Sequence, residues 1–554
     1  MNRIPFTRHG LSSAALTLLT MCCSQATFAQ IAPDAGRLLQ EQTRQMPQLP
    51  KASDFNIQAP ITQRAAPGGP QVVLNRVQFM GNSALASATL QACVGANALS
   101  KSYDLAGLQD VADKVSACYW AAGYPFARAF VPAQSMQDGE LRLQIVEGRY
   151  GQIRLVGDDK AQSAVSYLAP LKSGEVITNA SLERATLLLS DLPGYWLEPV
   201  MQPGEAEGAG DLLLNMQATA PITGQLGLDN MGNRYTGMYR MRLDMQLNSP
   251  LMAGDQLNFN GVKSSEHMTF GNLGYSLPLG GDGLRLLASV AKTEYQLGDK
   301  FASANAHGTA DVASAGMSYA WLRSRDQNLN LSAQFQQKRM HDLKDGLDNR
   351  KNSHVLPLTL GFDRRDDWLG GGVVYGSLGY VAGKLNLDSE LASTDAETAH
   401  TAGHFSKWTL DVVRKQSLPD GLEGNIRLSG QWSHKNLDSS EKFSLGGANG
   451  VRAYPTGEAL GDQGWLAQAE LRGQWEQVNP YAFIDAGAVK AVNQPWDTSA
   501  SNTRNLLGSG VGVRTVQGDW TLDASLAWRL NGGVPQSDPS DRRPRMWMSL
   551  AYKL

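Results

Sequence analysis

An arginine and an aspartate in two short segments of this 554-residue chain are candidates for an ion pair. Arg452 lies in a long glycine-rich gap between predicted strands, and Asp485 lies in the middle of a predicted strand. A guanidinium and a carboxylate can pair through two parallel hydrogen bonds. Removing one partner of a poorly hydrated pair costs roughly 3–5 kcal/mol, and less where water reaches the pair. The pair could therefore hold the segment that carries Arg452 against the strand that carries Asp485. The alternative is that Arg452 is a solvated cation on a loop and Asp485 is an ordinary charge on the strand.

The residues around this pair complete the candidate site. The gap runs from 435 to 463, and a stretch of this length without a strand pattern suggests a functional loop. Its glycines allow tight turns. The expected site comprises the loop tip and the neighbouring wall positions: Val451, Arg452, Tyr454, Pro455, Phe483, Asp485 and Gly487.

Signals for catalysis are absent from the sequence. It contains no Walker A, HExxH or GxSxG pattern, and its eight histidines lack metal-ligand spacing. The carboxylates of Asp485, Glu470 and Asp366 could suggest an acid–base site, but charges lining a wet pore are the favoured interpretation. We therefore expect no enzyme, no catalytic residue, no cofactor and no metal.

The element that would position Asp485 is a membrane β-barrel. From Thr223 onward, runs of roughly 8 to 13 residues alternate apolar and polar side chains between Gly/Asp/Asn turns. An even strand count suits a closed antiparallel barrel, and a lipid-facing aspartate would be costly, so Asp485 should face the lumen. A soluble sandwich is the less compatible alternative. We place strand centres near residues 226, 243, 259, 273, 289, 316, 333, 359, 379, 410, 428, 469, 485, 511, 525 and 549.

The last predicted strand shows this alternation in full. One face carries apolar residues that suit lipid, and the other carries residues that suit a wet lumen. The first set is Met546, Met548, Leu550, Tyr552 and Leu554, and the second is Arg545, Trp547, Ser549, Ala551 and Lys553.

Four segments lie between the expected N-terminal leader at 1–29 and the predicted barrel at 221–554. Residues 30–50 predict a helix that starts at Asp34, with Leu38, Leu39, Gln42 and Met46 on one face. Residues 51–70 predict a flexible linker rich in Pro and Gly. Residues 71–148 and 149–220 each predict strand, two helices and two strands, which is a repeat of about 70 residues.

The N-terminus has the pattern of an export signal. Residues 1–29 combine Arg3 and Arg8, a short apolar run and an Ala-type cleavage site, although Cys22 leaves a lipoprotein alternative. Without this leader, the formal net charge of the chain is −5 instead of −3. A negative net charge does not indicate nucleic-acid binding, which is typical of basic proteins. No second apolar run reaches the length of a membrane helix.

Two cysteines remain after the leader, Cys93 and Cys118. Export to an oxidising compartment favours a disulfide between them. The bond would close a loop of about 24 residues and stabilise the fold by on the order of 3 kcal/mol. The alternative is two buried free thiols.

Several motifs resemble those of one transporter family. The chain from Ile31 to Leu554 is similar to the outer-membrane transporters of two-partner secretion, the haemolysin secretion/activation (ShlB/FhaC/HecB) type within the Omp85 superfamily. The 451–455 segment matches the loop-6 VRGY motif, and Phe483, Asp485 and Gly487 match the wall motif FxDxG. Further matches are FMGN at 79–82, GYP at 123–125, VPAQ at 131–134, GELRL at 139–143, VEG at 146–148 and DRRDD at 363–367.

This resemblance implies a fold and a function. It implies an N-terminal plug helix, two POTRA domains in the periplasm and a sixteen-stranded barrel in the outer membrane of a Gram-negative bacterium. The implied function is secretion of a large β-rich exoprotein of haemolysin or adhesin type, whereas the sequence leaves activation of that client open. The N-terminal helix could instead lie free in the periplasm.

The resemblance also implies partners. They are a TpsA-type exoprotein with an N-terminal secretion domain, outer-membrane lipid and lipopolysaccharide, and the barrel assembly machinery during biogenesis. POTRA domains would receive the client by strand addition at 127–131 or 182–192. The rival functions are an Omp85-type assembly factor for other barrels and a plain porin, which leaves 71–218 without a role.

Two positions depart from the family pattern. Ala453 replaces the usual loop-tip glycine, and its Cβ restricts the backbone there. The chain ends in Leu554, where outer-membrane barrels often end in Phe, which affects the expected assembly signal rather than the topology.

Overall fold

The computed structural model describes residues 32–43, 46–49, 65–497 and 501–554. The expected leader at 1–29 and the part of the expected linker at 51–64 lie outside these ranges. Among the helices within them, none is long and apolar enough to cross a bilayer.

Five α-helices occur in the described residues, and side chains that accept hydrogen bonds from backbone N–H groups cap the start of several of them. Asp34 accepts a 3.0 Å hydrogen bond from the backbone N–H of Arg37, which fits its expected role at the start of the first helix. That helix ends at Thr43, so Met46 lies beyond it and is exposed. The helices are α1 Ala35–Thr43, α2 Ser87–Val94, α3 Leu105–Ala121, α4 Asn179–Ser190 and α5 Ser389–Glu397.

The first α+β unit follows the predicted order with two differences, a divided first strand and a short strand, Lys101–Tyr103, between the two helices. The single strand expected at the start of this unit is two strands, because the backbone N–H groups of Asn75 and Arg76 both donate to the carbonyl of Gly139 and interrupt the pairing. α2 and α3 pack on the sheet through buried residues such as Leu90 and Val115. The strands are β1 Val72–Leu74, β2 Arg76–Met80, β3 Lys101–Tyr103, β4 Arg128–Phe130 and β5 Glu140–Val146.

The second α+β unit repeats the topology of the first. Its strands are β6 Arg149–Val156, β7 Tyr195–Pro203 and β8 Ala209–Ala218. The sheet order β6-β8-β7, with β6 and β8 parallel, reproduces the order β2-β5-β4, with β2 and β5 parallel. The expected repeat is therefore present as a repeated fold.

The C-terminal region is a closed antiparallel barrel of sixteen strands, as the alternation predicted. Every expected strand centre falls inside a strand, and the last strand pairs with the first. Two further short strands, β20 Phe443–Ser444 and β21 Leu460–Gly461, pair within the loop. The barrel strands are β9 Ile222–Asp229, β10 Arg240–Asn248, β11 Gln256–Ser264, β12 Met268–Leu279, β13 Leu284–Gln296, β14 His307–Arg323, β15 Gln327–Lys344, β16 Leu347–Asp366, β17 Gly372–Leu387, β18 Gly403–Ser417, β19 Glu423–Ser433, β22 Gln463–Arg472, β23 Val478–Lys490, β24 Thr503–Gln517, β25 Trp520–Asn531 and β26 Arg545–Lys553.

Burial on β26 follows the expected alternation. Met546 and Met548 are exposed on the outer face, whereas Arg545 and Trp547 are buried. Burial of Arg545 and Trp547 means that the interior of the barrel is packed at this position rather than open. Other elements of the chain must therefore fill the interior.

One helix was not expected from the sequence. α5 occupies the gap between β17 and β18, and Asp388 caps it by accepting hydrogen bonds from the backbone N–H groups of Glu390 and Leu391. The aspartate directly before a helix-forming stretch was the available signal.

The second α+β unit docks on the barrel turns. Arg323, at the end of β14, donates to both carboxylate oxygens of Asp191, which directly follows α4. Arg184 donates to backbone carbonyls of Asp282 and Ala320. These contacts identify the rim with the turns after β12 and β14 as the rim beside the α+β units.

Candidate functional site

Arg452 and Asp485 meet inside the barrel. Arg452 Nε lies 2.9 Å from Asp485 Oδ2, and Nη2 lies 2.8 Å from Oδ1, which is a bidentate pair. The backbone N–H of Arg452 also donates to Asp485 Oδ2 at 3.0 Å. The aspartate is fully buried and the arginine is 8% exposed. Burial of this kind makes the loss of either partner costly, because the other charge is left without compensation.

The guanidinium has further partners that the sequence analysis did not assign. Its Nη1 donates to Glu470 Oε2 at 2.8 Å, and its Cζ lies 3.4 Å from the ring centroid of Phe483. The backbone carbonyl of Arg452 accepts a 2.7 Å hydrogen bond from Trp547 Nε1. Arg452 therefore joins β22, β23 and β26 to the loop.

The loop tip is a compact, buried turn. Val451 and Tyr454 are fully buried and Pro455 is also buried. The hydroxyl of Tyr454 donates to the backbone carbonyls of Asn531 and Gly533, at 2.7 and 3.1 Å. The tip thus contacts the end of β25 as well as the wall on which Asp485 lies.

Gly487 provides space for the loop. A Cβ at this position would lie 2.3 Å from Leu445 Cδ1 and 2.6 Å from the carbonyl oxygen of Trp465. Leu445 is fully buried. The wall glycine therefore permits the close approach of a loop side chain that was not among the expected site residues.

Ala453, the departure at the loop tip, is accommodated by a second glycine. Its backbone φ is not positive, so the Cβ costs little conformational freedom. A Cβ at Gly508 on β24 would lie 2.5 Å from the Cβ of Ala453. Because Gly508 has no side chain, the barrel wall has room for the Cβ of Ala453 on the loop.

α1 lies inside the barrel beside the loop. Leu38 and Leu39 are buried against residues of β12 to β15, among them Phe270 and Met340. The N–H of Ala35 donates to Asp342 Oδ1 at 2.8 Å. The side chain of Gln40 donates to the backbone carbonyl of Lys442.

A lysine on the wall links α1 to the loop. Lys351 Nζ lies 2.9 Å from Asp34 Oδ2 and 2.8 Å from Asp438 Oδ2. Asp34 also accepts a 2.6 Å hydrogen bond from the Ser439 hydroxyl. The helix and the loop therefore share one set of charged contacts.

Glu470 was expected only as a charge lining the pore and Gln468 was not expected at the site, yet both had a detectable signal. Both lie on β22 at even positions, directly beside β23, and Gln468 is opposite Asp485 in the register. Gln468 Nε2 donates to the Gly450 carbonyl at 2.9 Å. Polar residues two apart on the strand before Asp485 would have pointed to the same lumen face. No sequence signal identified Leu445 or Lys351.

The family-type segments of the first α+β unit meet around Glu147. This carboxylate accepts 2.6 Å hydrogen bonds from the backbone N–H groups of Ser83 and Ala84, and a 2.9 Å hydrogen bond from the Tyr119 hydroxyl. Burial alone would raise its pKa, but these hydrogen bonds outweigh burial and lower the pKa below its ordinary value. Glu147 therefore fixes the turn after β2.

The other expected positions have clear locations. Cys93 on α2 and Cys118 on α3 form a disulfide. Asp366 lies at the barrel rim and forms a bidentate ion pair with Arg414.

Of the two candidate client segments, 127–131 contains β4, an edge of its sheet, whereas 182–192 lies mostly on α4. Within the described ranges, no cluster of three or more His, Cys, Asp or Glu could hold a metal ion.

Comparisons with known proteins agree with this architecture. A family model described as haemolysin secretion/activation protein ShlB/FhaC/HecB matches residues 208–515, and a ShlB-type POTRA model matches 72–148. Heme/hemopexin transporter protein HuxB of Haemophilus influenzae (strain 86-028NP) is 24% identical over 561 residues, covering 98% of each chain. Outer membrane transporter CdiB of Escherichia coli is 25% identical over 508 residues, covering 87% of this chain and 83% of that protein.

A solved structure shows the same fold. CdiB from Escherichia coli matches with a TM-score of 0.70 and 20% sequence identity, over 94% of this chain and 96% of that chain. The family match spans more than half of the sequence and includes the loop and the wall strand described above. With its sixteen-stranded barrel in the outer membrane and its POTRA region in the periplasm, this chain belongs to the haemolysin secretion/activation family of exoprotein secretion transporters.

Proposed function

We propose that this transporter exports an unfolded, β-rich exoprotein through its barrel, and that α1 and the loop at 435–463 close the barrel until the client arrives. The observation that carries this proposal is the buried Arg452–Asp485 pair, because it holds an inward loop against the barrel wall. A buried ion pair of this kind stabilises the closed barrel while its two side chains are in contact. Separation of the two side chains gives a second, open state of the barrel.

The client is proposed to be a TpsA-type protein with an N-terminal secretion domain. Its first contact is strand addition, for which β4 offers an exposed edge in the first POTRA domain. Phe130 on β4 is 41% exposed, which gives the incoming strand an apolar side chain to cover. Strand addition uses backbone hydrogen bonds and so suits a client with many strand-forming segments.

The transporter works without catalysis in this proposal. Folding of the client outside the cell provides the driving force, since no nucleotide site is expected from the sequence. Outer-membrane lipid and lipopolysaccharide surround the barrel, and the barrel assembly machinery inserts it during biogenesis. The segments are used as a cleaved leader (1–29), plug helix (30–50), linker (51–70), POTRA 1 (71–148), POTRA 2 (149–220) and barrel (221–554).

Deletion of the transporter tests this function. We expect a deletion strain to retain its large β-rich exoprotein and the wild-type copy to restore release, with secreted and cell-associated client measured by immunoblot. Normal release without the transporter would contradict the proposal. A general loss of outer-membrane proteins, measured by proteomics of that fraction, would instead support the rival function of an Omp85-type assembly factor.

A further inference from the structure

A basic groove lies on the outer surface of the barrel, on strands β15 to β19. Along β16, Ser353 and Val355 are buried inside, so the alternating residues His354 and Leu356 face outward. His354 is directly opposite Lys384 on β17, and Lys384 is directly opposite His404 on β18. Side chains opposite each other in neighbouring strands lie about 5 Å apart at Cβ, so these three form one continuous row.

The row lies at the outer edge of the lipid-facing band. The end of β16 at Arg364 pairs with the start of β15, on the rim beside the POTRA domains, so this is the periplasmic end. Outward positions between Arg364 and His354 are apolar, namely Leu356, Leu358, Leu360 and Phe362. That stretch of strand is about 33 Å long and spans about 25 Å at a tilt near 40°, which equals the height of an apolar band. His354 and Lys384 therefore stand at the outer-leaflet interface.

The cation in this row is available to a ligand. Lys384 is exposed and forms no ion pair or hydrogen bond with any residue that the structure describes. The Nδ1 atom of His354 is shielded from solvent and also lacks a hydrogen-bond partner among those residues. His434 extends the row, since its Nδ1 lies 3.5 Å from the hydroxyl of Ser406 on the same outer face.

An apolar surface lies directly below the row. The ring of Phe335 stacks on His354 with a centroid distance of 5.8 Å, and Tyr380 packs against Trp408 at 4.9 Å. The basic and apolar residues together line a groove of about 430 Å³. A ligand that fits this groove has anionic groups at the interface and hydrocarbon below it.

Several other outward cations near this height have carboxylate neighbours. Lys292 on β13 lies 2.6 Å from Glu294, and Arg339 on β15 is opposite Asp311. Above the row, Arg350 pairs with Asp348 at 2.8 Å. The groove between β15 and β19 differs from these sites because Lys384 has no carboxylate partner among the described residues.

We propose that this groove binds the phosphate groups of the outer-leaflet glycolipid, lipid A, with Lys384 and the row of histidines on the phosphate and the acyl chains against Phe335, Leu356 and Tyr380. The outer leaflet is rich in this phosphorylated lipid, which supplies both the charge and the hydrocarbon that the groove requires. The bound lipid anchors the β15–β19 wall, whose inner face packs on Leu437 of the loop through Val355 and Phe405.

The test uses the full-length transporter in mild detergent and purified phosphorylated lipid A as the probe, with binding measured by native mass spectrometry and by titration. We expect the triple variant His354→Gln, Lys384→Gln, His404→Gln to bind at least tenfold more weakly. Lys384→Arg should bind as the wild type does. The matched control Lys292→Gln, an outward lysine at a similar height, should change binding less than twofold.

Two further probes separate the sources of phosphate. Dephosphorylated lipid A should bind the wild type and the triple variant equally weakly, and inorganic phosphate at millimolar concentration should not compete. Equal binding of phosphorylated lipid A to the wild type and a folded triple variant would overturn the proposal, as would effective competition by inorganic phosphate. Heat-dependent gel mobility checks that each variant is a folded barrel, and loss of binding in Lys384→Arg would also count against the assignment.

Discussion

Arg37 on the N-terminal helix donates a 2.7 Å hydrogen bond from Nη2 to the backbone carbonyl of Gly457 on the inward loop. The two residues are 420 positions apart, yet both are held inside the barrel. Together with the contacts of Lys351 to Asp34 and Asp438, this bond makes the helix and the loop a single closing unit. Release of one therefore weakens the hold on the other.

Lys351→Gln should open the barrel. The substitution removes the cation between Asp34 and Asp438 and leaves two carboxylates facing each other, which favours departure of the helix. We expect a larger open fraction in single-channel recordings in planar bilayers. Lys344→Gln, at the exposed end of β15, is the matched control and should leave the recordings unchanged. Identical open fractions in both variants would exclude this coupling.

Latch variants should differ in a defined order. Arg452→Ala leaves Asp485 without its cation and leaves Glu470 with Arg472 alone, so it should reduce secretion most, at least several-fold. Asp485→Ala removes the bidentate partner and should reduce secretion less, because Glu470 still holds Arg452. Glu470→Gln should have the smallest effect. Secreted client is measured against the amount of folded barrel, which should stay near normal. Unchanged secretion in the first two variants would remove the latch from the mechanism.

Gly487→Ala should displace the loop from the barrel wall. Its Cβ would meet Leu445 at 2.3 Å, so the loop must move away from the wall. The control is Gly361→Ala, on the wall at β16, where the nearest atom would lie at an ordinary 3.7 Å. Limited proteolysis of the loop should be faster in Gly487→Ala alone. Equal cleavage rates would show that the wall glycine is not needed for the seated loop.

Removal of the disulfide should destabilise POTRA 1 alone. The bond between Cys93 and Cys118 closes a loop of about 24 residues, so the paired change Cys93→Ser, Cys118→Ser should cost on the order of 3 kcal/mol. Urea-dependent proteolysis of the full-length transporter measures this, read at sites within 71–148. Heat-dependent mobility of the barrel serves as the internal control. An unchanged urea midpoint would show that the bond contributes little.

Glu147 should make POTRA 1 sensitive to acid. Its pKa is lowered in the folded state, so its stabilisation is fully present above the unfolded pKa and is lost as pH falls through the folded pKa. Glu147→Gln should therefore be less stable than the wild type at neutral pH and should lose less stability below pH ~4. Urea midpoints at a series of pH values measure the difference. Parallel pH curves for the two proteins would contradict this assignment.

The fold could be predicted because its signals are local. Alternation along each strand reports which side chains meet lipid, and it located all sixteen strand centres. The same pattern put Asp485 on the inner face, since a charge facing lipid is too costly. The break at Asn75 depended on tertiary hydrogen bonds to Gly139 that periodicity does not report.

The composition of the site was only partly predictable. The sequence determined which strand holds Asp485 and which loop carries Arg452, because alternation and glycine content are read along the chain. Only the tertiary structure brought Glu470, Leu445 and Lys351 to that loop, since register and barrel closure decide which distant side chains meet. The physical reason is that burial of a charge becomes acceptable only when its partners are already in place around it.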